Sequence, residues 1–298
     1  MKILLLGKNG QVGRELQRTL LPLGEVTVLG REDINLEDTP NIERVLNAHA
    51  PGLIVNAAAY TAVDKAESDS DRAFRVNAKA VEVMARYAGR HGVTLVHYST
   101  DYVFDGHKDA PYLEVDPTDP QSVYGRSKRA GEIAVTESGC HFLLFRTSWV
   151  FSATGVNFIR TILRLAAERP SLRVVADQFG APTSAELIAD VTALAIAGHR
   201  RGNLADGIYH LTAAGRTSWH ALARYVVEQA ISSGLAMKLA ANDIEPISTA
   251  EYPLPAPRPR NSSLNTQALA SGAGVSFPAW TVHVDRALAQ IARQELRQ

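Results

Sequence analysis

The sequence predicts an α/β fold, a doubly wound parallel sheet with a smaller C-terminal lobe. Three observations carry that prediction. Short apolar runs alternate with longer segments of helical periodicity through the first half of the chain. Those runs are almost continuously apolar, as in strands buried on both faces. After about Phe151 the alternation loosens, and a proline at every second position from Pro253 to Pro259 makes that stretch extended.

The elements follow in order. "KILLL" reads as a buried strand and "QVGRELQRTLL" as the helix after it. "EVTVL" is a second strand, "NIERVLNAHA" a helix and "LIVNAAA" a third strand. "DSDRAFRVNAKAVEVMARYAGRHG" is one long helix that stops at Gly92. "VTLVHYS", "SVYGRSKRAGEIAVTES" and "FLLFRTS" give a fourth strand, a helix and a fifth strand. Beyond Phe151, "NFIRTILRLAAE" and "SAELIADVTALAIAG" are helical and "GIYHLT" is a short strand. Residues 1–150 therefore form the core. Residues 151–298 are a mixed region that completes the core and supplies the lobe.

Composition narrows the function. Lys+Arg and Asp+Glu number 31 each, for a formal net charge of +0, so nothing points to nucleic acid or an anionic membrane. One cysteine, Cys140, allows no internal disulfide framework and fits a reducing compartment. "MKILLLG" is too short for a signal-peptide core, and no apolar run approaches the roughly 20 residues that cross a bilayer. The expectation is a soluble cytoplasmic protein.

"GKNGQVG" places Gly7, Gly10 and Gly13 between the first strand and the first helix. Glycines there allow a tight turn and a close approach to a pyrophosphate, which the positive end of the helix favours. The spacing departs by one residue from the familiar G-x-G-x-x-G, but its place after a buried strand favours a Rossmann-type NAD(P)-binding core over a plain strand–helix turn, which also uses glycine. The second strand ends in Gly30-Arg31, where an NAD site usually carries a carboxylate on the ribose. Arg31 suits the 2′-phosphate of NADPH. Glu32 and Asp33 follow directly and can bend back towards the ribose.

The fourth strand ends in Ser99-Thr100, and "YGRSK" opens the next helix. Tyr124 and Lys128 lie four residues apart, on one helix face. A phenol of pKa about 10 exchanges protons poorly at neutral pH, and a nearby ammonium favours its phenolate. Thr100 can hydrogen-bond a substrate carbonyl. A Tyr beside a surface Lys is the plainer reading of the same spacing. The order of glycine turn, alanine-rich strand end, Ser-Thr strand end and Tyr-x-x-x-Lys favours the catalytic one.

That order resembles the extended short-chain dehydrogenase/reductase superfamily. "RTSWVF", "DQFGAPT" and "RPRNSSLNT" narrow the resemblance to the dTDP-4-dehydrorhamnose reductase family, over nearly the whole chain. The resemblance implies reduction of the 4-keto group of dTDP-4-dehydro-β-L-rhamnose by NADPH, with NADH also accepted, as the last step of dTDP-rhamnose synthesis. It implies Tyr124 as proton donor, Lys128 as its tuner and ribose ligand, and Thr100 as orienter of the carbonyl. It places Gly7, Gly10, Gln11, Val12, Gly13, Arg31, Asn35, Leu36, Ala59, Tyr60, Thr61 and Tyr98 around the cofactor. Asp101 and Trp149 then face the sugar, and Arg258 and Arg260 are candidates for the diphosphate.

Other enzymes of this superfamily, an epimerase or a 4,6-dehydratase, are the alternatives. "STDYVF" offers a single Asp where a dehydratase needs a carboxylate pair. A dinucleotide-binding regulatory relative would have lost the Tyr or the Lys. Some relatives dimerise through magnesium on clustered glutamates. Glu15 and Glu186 keep two of those positions and Gln290 takes the third. An amide carries no charge for a hard cation, so the expectation is no metal and a monomer or weak homodimer.

Overall fold

A computed structural model describes residues 1–295; the last three residues of the 151–298 region lie outside the described residues. Six strands form one sheet: β1 (Lys2–Leu6), β2 (Glu25–Leu29), β3 (Leu53–Asn56), β4 (Thr94–Thr100), β5 (His141–Thr147) and β6 (Gly207–His210). Their order is β6-β5-β4-β3-β1-β2. Every neighbouring pair is parallel. The chain runs outward from β1 to β2, then returns to build β3 on the other side of β1. Strand order reverses there, and open α/β sheets take ligands in the crevice beyond such a point.

The longer helices are α1 (Gln11–Thr19), α2 (Thr39–His49), α3 (Ala80–His91), α4 (Val123–Thr136), α5 (Phe158–Glu168), α6 (Ala185–Arg200), α7 (Trp219–Ser232) and α8 (Trp280–Glu295). Side chains alternate across the sheet, which explains the unbroken apolar runs. Ile3, Leu5, Val55, Val96 and Phe145 pack against α1 and α6 on one face. Leu4, Leu6, Ile54, Leu95 and Leu144 pack against α2 and α3 on the other. β6 and α6 come from beyond residue 151, so the second half of the chain supplies an edge of this sheet and part of one helical layer.

The long helix is one helix with an insertion. Residues Ser70–Phe74 are α, Arg75–Lys79 form a π segment, and α3 continues from Ala80. Gly92, at φ 63°, ends it in the left-handed conformation. π segments gather at functional sites. This one carries Asn77, which is buried and hydrogen-bonds both the N–H and the carbonyl of Tyr60 and the Ser127 hydroxyl of α4.

The lobe has its own core, built from α5, α7, α8 and the parallel pair Leu172–Val175 and Ile244–Ile247. The proline stretch is extended, as its composition requires. Ser262 N–H donates to the Phe179 carbonyl, Asn261 N–H to that of Gly106, and Ser263 O accepts from Tyr112 N–H. These bonds stitch the stretch between the lobe and the loop after β4.

Candidate active site

The glycine turn lies at the β1/β3 crossing. Gly7 has φ 96°, and a Cβ on it would sit 2.7 Å from the Ala57 carbonyl carbon. A Cβ on Gly13 would sit 2.0 Å from the Gly7 oxygen. Both positions need glycine for the chain to pass this closely. Gly10 is the N-cap of α1 and provides no side-chain cap. The first amides of α1, from Gln11, Val12 and Gly13, therefore meet the crevice with their positive dipole end. Such a turn fits a dinucleotide pyrophosphate. Gln11 Oε1 accepts from Ser152 Oγ at 3.0 Å and Asn157 Nδ2 at 3.1 Å, which ties the turn to the lobe.

At the end of β2, Arg31 is exposed. Glu32 folds back so that its Oε2 lies 2.4 Å from where a Gly30 Cβ would stand, and its carboxylate pairs with Lys8 at 3.5 Å. Asp33 Oδ2 accepts from the Gly30 N–H at 2.9 Å. The missing carboxylate at the strand tip is thus replaced by one returning from two residues on. Asn35 uses its side chain on the Glu37 N–H, and Leu36 packs into the core below. Ala59 and Thr61 flank Tyr60 at the end of β3, and the Tyr60 hydroxyl donates to Asp69.

α4 brings Tyr124 and Lys128 to the end of β4. Ser122 caps the helix by accepting from the Gly125 N–H at 3.1 Å, and the Val123 N–H donates to Glu67 Oε1. Gly125 lets the first turn sit on the Tyr102 carbonyl, which a Cβ would meet at 2.2 Å. Tyr124 is partly buried, edge-on to Tyr102. Its phenol is pushed up to about 12, first by burial and then by the Asp101 charge, against a hydrogen bond with Thr100. Lys128 is 2% exposed and donates to the Tyr98 carbonyl at 2.6 Å. Burial pulls its ammonium down to about 8. The lysine charge is thus turned to the strand backbone, and burial keeps the phenol protonated at neutral pH. Tyr98 contributes that carbonyl; its side chain points into the core, where its hydroxyl meets Thr192.

Thr100 Oγ1 donates to Asp101 Oδ1 at 3.0 Å and accepts from the Tyr102 N–H. Asp101 is buried and raised to about 6 by that burial, with hydrogen bonds from Ser262 and Thr100 opposing. Its Oδ2, with Ser99 Oγ, Thr147 Oγ1 and Ser148 Oγ, finds no partner among the described residues. The four residues lie at or just past the carboxyl ends of β4 and β5, Ser99 on the sheet face of Leu95 and Thr147 on that of Phe145. Buried polar atoms left so at the end of the sheet fit a polar ligand.

Trp149 adopts φ 49° and stacks on Trp219 with ring centres 3.5 Å apart, its indole lying over Gly180. Arg258 pairs with Asp64 at 2.6 Å and borders a cavity of about 150 Å³ with Tyr102, Ser122 and Pro257. Arg260 is exposed; against the upward pull of burial, hydrogen bonds from Thr249 and, least, the Arg260 charge lower Asp177. Glu186, in the first turn of α6, accepts from Arg286 at 2.6 Å and Gln290 at 2.8 Å. Burial and then the Glu186 charge raise Glu15. No helix among the described residues is long and apolar enough to cross a membrane.

Sequence reasoning passed over Asn56, Asn77, His97 and Trp219. Asn56 and His97 carried a signal, since each is a polar residue inside an apolar strand. Asn77 carried none, because on a helix it looks like any surface residue.

The family model for the RmlD substrate binding domain matches residues 1–293. A dTDP-4-dehydrorhamnose reductase from Burkholderia thailandensis is 51% identical over 94% of this chain and 95% of its own. The crystal structure of one from Clostridium acetobutylicum superposes with a TM-score of 0.87 at 33% identity, over 100% of both chains. Another, from Bacillus anthracis in complex with NADP, gives 0.84 at 30% identity, over 98% of this chain and 99% of its own.

Proposed function

From its membership of the dTDP-4-dehydrorhamnose reductase family, to which the chain belongs, we propose that it reduces the 4-keto group of dTDP-4-dehydro-β-L-rhamnose to dTDP-β-L-rhamnose. NADPH supplies the hydride when bound. The chain supplies position and a proton. The Gly7–Gly13 turn takes the pyrophosphate on the free amides of α1, and the Ala59–Thr61 segment borders the nicotinamide half. Asn35, Leu36 and Arg31 border the adenosine half.

Thr100 holds the keto oxygen, and Tyr124 donates its phenolic proton to that oxygen as negative charge develops there. A phenol raised to about 12 is protonated at neutral pH and so carries the proton that the developing oxyanion needs. Lys128 stabilises the phenolate left behind. Trp149, held flat by Trp219, gives the deoxysugar an apolar wall, while Asp101 faces its hydroxyls. Arg258 and Arg260 face the diphosphate, Arg258 by sharing its Asp64 contact.

The observation that carries this reading is the convergence of Tyr124, Thr100 and Asp101 at the end of β4, beside an uncapped glycine turn at the sheet's switch point. Product analysis by proton NMR tests it. Incubation with NADPH and dTDP-4-dehydro-β-L-rhamnose yields dTDP-β-L-rhamnose; recovery of the C4 epimer, or of a dehydrated sugar, contradicts the assignment.

A further inference from the structure

Behind Lys128 stands a buried polar chain that the roles above do not use. Asn56 ends β3 and His97 lies beside it on β4, each 1% exposed. Asn56 Nδ2 is 3.2 Å from His97 Nδ1, and His97 Nε2 is 3.4 Å from Lys128 Nζ. A third contact fixes the Asn56 amide, because the Ala58 N–H donates to its Oδ1 at 3.1 Å. An N–H donor needs an oxygen, so the NH₂ end of Asn56 faces the imidazole. His97 Nδ1 must then be the accepting nitrogen. A neutral imidazole has one proton, which therefore sits on Nε2 and points at Lys128. An ammonium has no lone pair to receive that N–H, whereas a neutral amine has one. The Tyr98 carbonyl, 2.6 Å from Nζ, accepts from either form.

We propose that His97 is a positioning residue for the reaction: held by Asn56 as its Nε2–H tautomer, it points an N–H at Lys128 and so favours the neutral amine over the ammonium. The ammonium stabilises the phenolate that Tyr124 becomes on giving up its proton, and the amine does not. Turnover therefore falls as Lys128 loses its charge.

Burial acts in the same direction on Lys128, and burial together with the lysine charge keeps His97 neutral by lowering it well below the usual range. The other groups around Lys128 are accounted for. Glu132, one turn on along α4, is the one that raises it, and its carboxylate is bound by Arg146 of β5 and by Arg129. Asn77 of the π segment is spent on Tyr60 and Ser127. Asp101 lies past the end of β4, bonded to Thr100.

The kinetic consequence rests on the proposed reaction, but the tautomer does not. Long-range proton–nitrogen NMR on the wild-type protein reads it without turnover. The expected pattern for His97 is a protonated Nε2 and a bare Nδ1; a protonated Nδ1, or an imidazolium, overturns the proposal even if the enzyme is active. His97→Gln gives Lys128 an amide whose oxygen is free to turn to the ammonium. Carbon-13 titration of the lysine side chains should then show the Lys128 midpoint rising by about one pH unit, with the alkaline limb of kcat moving alongside. A folded variant with the Lys128 midpoint unmoved contradicts the proposal. If His97→Gln does not fold, the wild-type tautomer decides.

Discussion

The Arg146 guanidinium holds the Glu132 carboxylate through two parallel bonds of 2.8 Å, with the partners 2% and 0% exposed. The pair fastens α4 to β5, one turn beyond Lys128. Two-point geometry of this kind fixes orientation as well as distance. Arg146 also donates to the Glu114 carbonyl and lies over the Phe104 ring, so the loop after β4 is anchored by the same side chain.

Removing one partner leaves a buried charge uncompensated. Arg146→Met is expected to lower unfolding stability by about 3–5 kcal/mol. Urea titration followed by circular dichroism measures it. A loss below about 1 kcal/mol would mean that Arg129, 3.3 Å from the same carboxylate, suffices alone.

Asp101 gives a pH dependence of defined sign. Its folded pKa, about 6, lies above the value of about 3.9 for an unfolded Asp, so the folded state holds the proton more tightly. Its contribution to stability is therefore most favourable below about pH 4 and is lost as pH rises towards 6. Asp101→Asn should stabilise the protein more at pH 7 than at pH 4, by about 2–3 kcal/mol at most. Melting temperatures of the two proteins across that range test it, and a difference that does not grow with pH refutes the burial argument.

Cofactor choice turns on the end of β2. Arg31 has no carboxylate at Gly30 beside it, and one charge-assisted contact of roughly 1.5–3 kcal/mol favours NADPH by about tenfold or more. Glu32 opposes this by folding back over Gly30. Arg31→Ala is expected to lower the NADPH/NADH ratio of kcat/KM and Glu32→Ala to raise it. Ratios that stay the same in both variants remove this corner from the argument.

The contacts of Glu186 lead us to expect metal independence. Arg286 and Gln290 already occupy its two oxygens, and a guanidinium there repels a second cation. Sedimentation should be the same with magnesium and with chelator. A dimer that dissociates only in chelator would show that the Glu186–Arg286 pair gives way to the ion.

The sheet was legible because strands buried on both faces write themselves as unbroken apolar runs, and α4 because a serine cap precedes a helical pattern. The lobe was less so. Its strands are two to four residues long, too short for periodicity to register. Tyr124, Lys128 and Thr100 were legible as a spacing, but their electrostatics were not. The spacing suggested an ammonium acting on a phenol; it showed neither the Lys128 bond to the Tyr98 carbonyl nor the burial that raises the phenol before the proton is given up. Arg258 likewise read as a free guanidinium, while its Asp64 partner comes from 194 residues away.

The central claim is that Tyr124 is the proton donor in an NADPH-dependent reduction of a dTDP-4-keto sugar. The measurement that tests it most directly is single-turnover loss of NADPH absorbance, with saturating dTDP-4-dehydro-β-L-rhamnose, for the wild type and Tyr124→Phe. The expected result is sugar-dependent oxidation by the wild type and a rate roughly 10²–10⁴-fold lower in the variant, with NADPH affinity retained. No sugar-dependent oxidation by the wild type, or a Phe variant within a few-fold of it, would contradict the account.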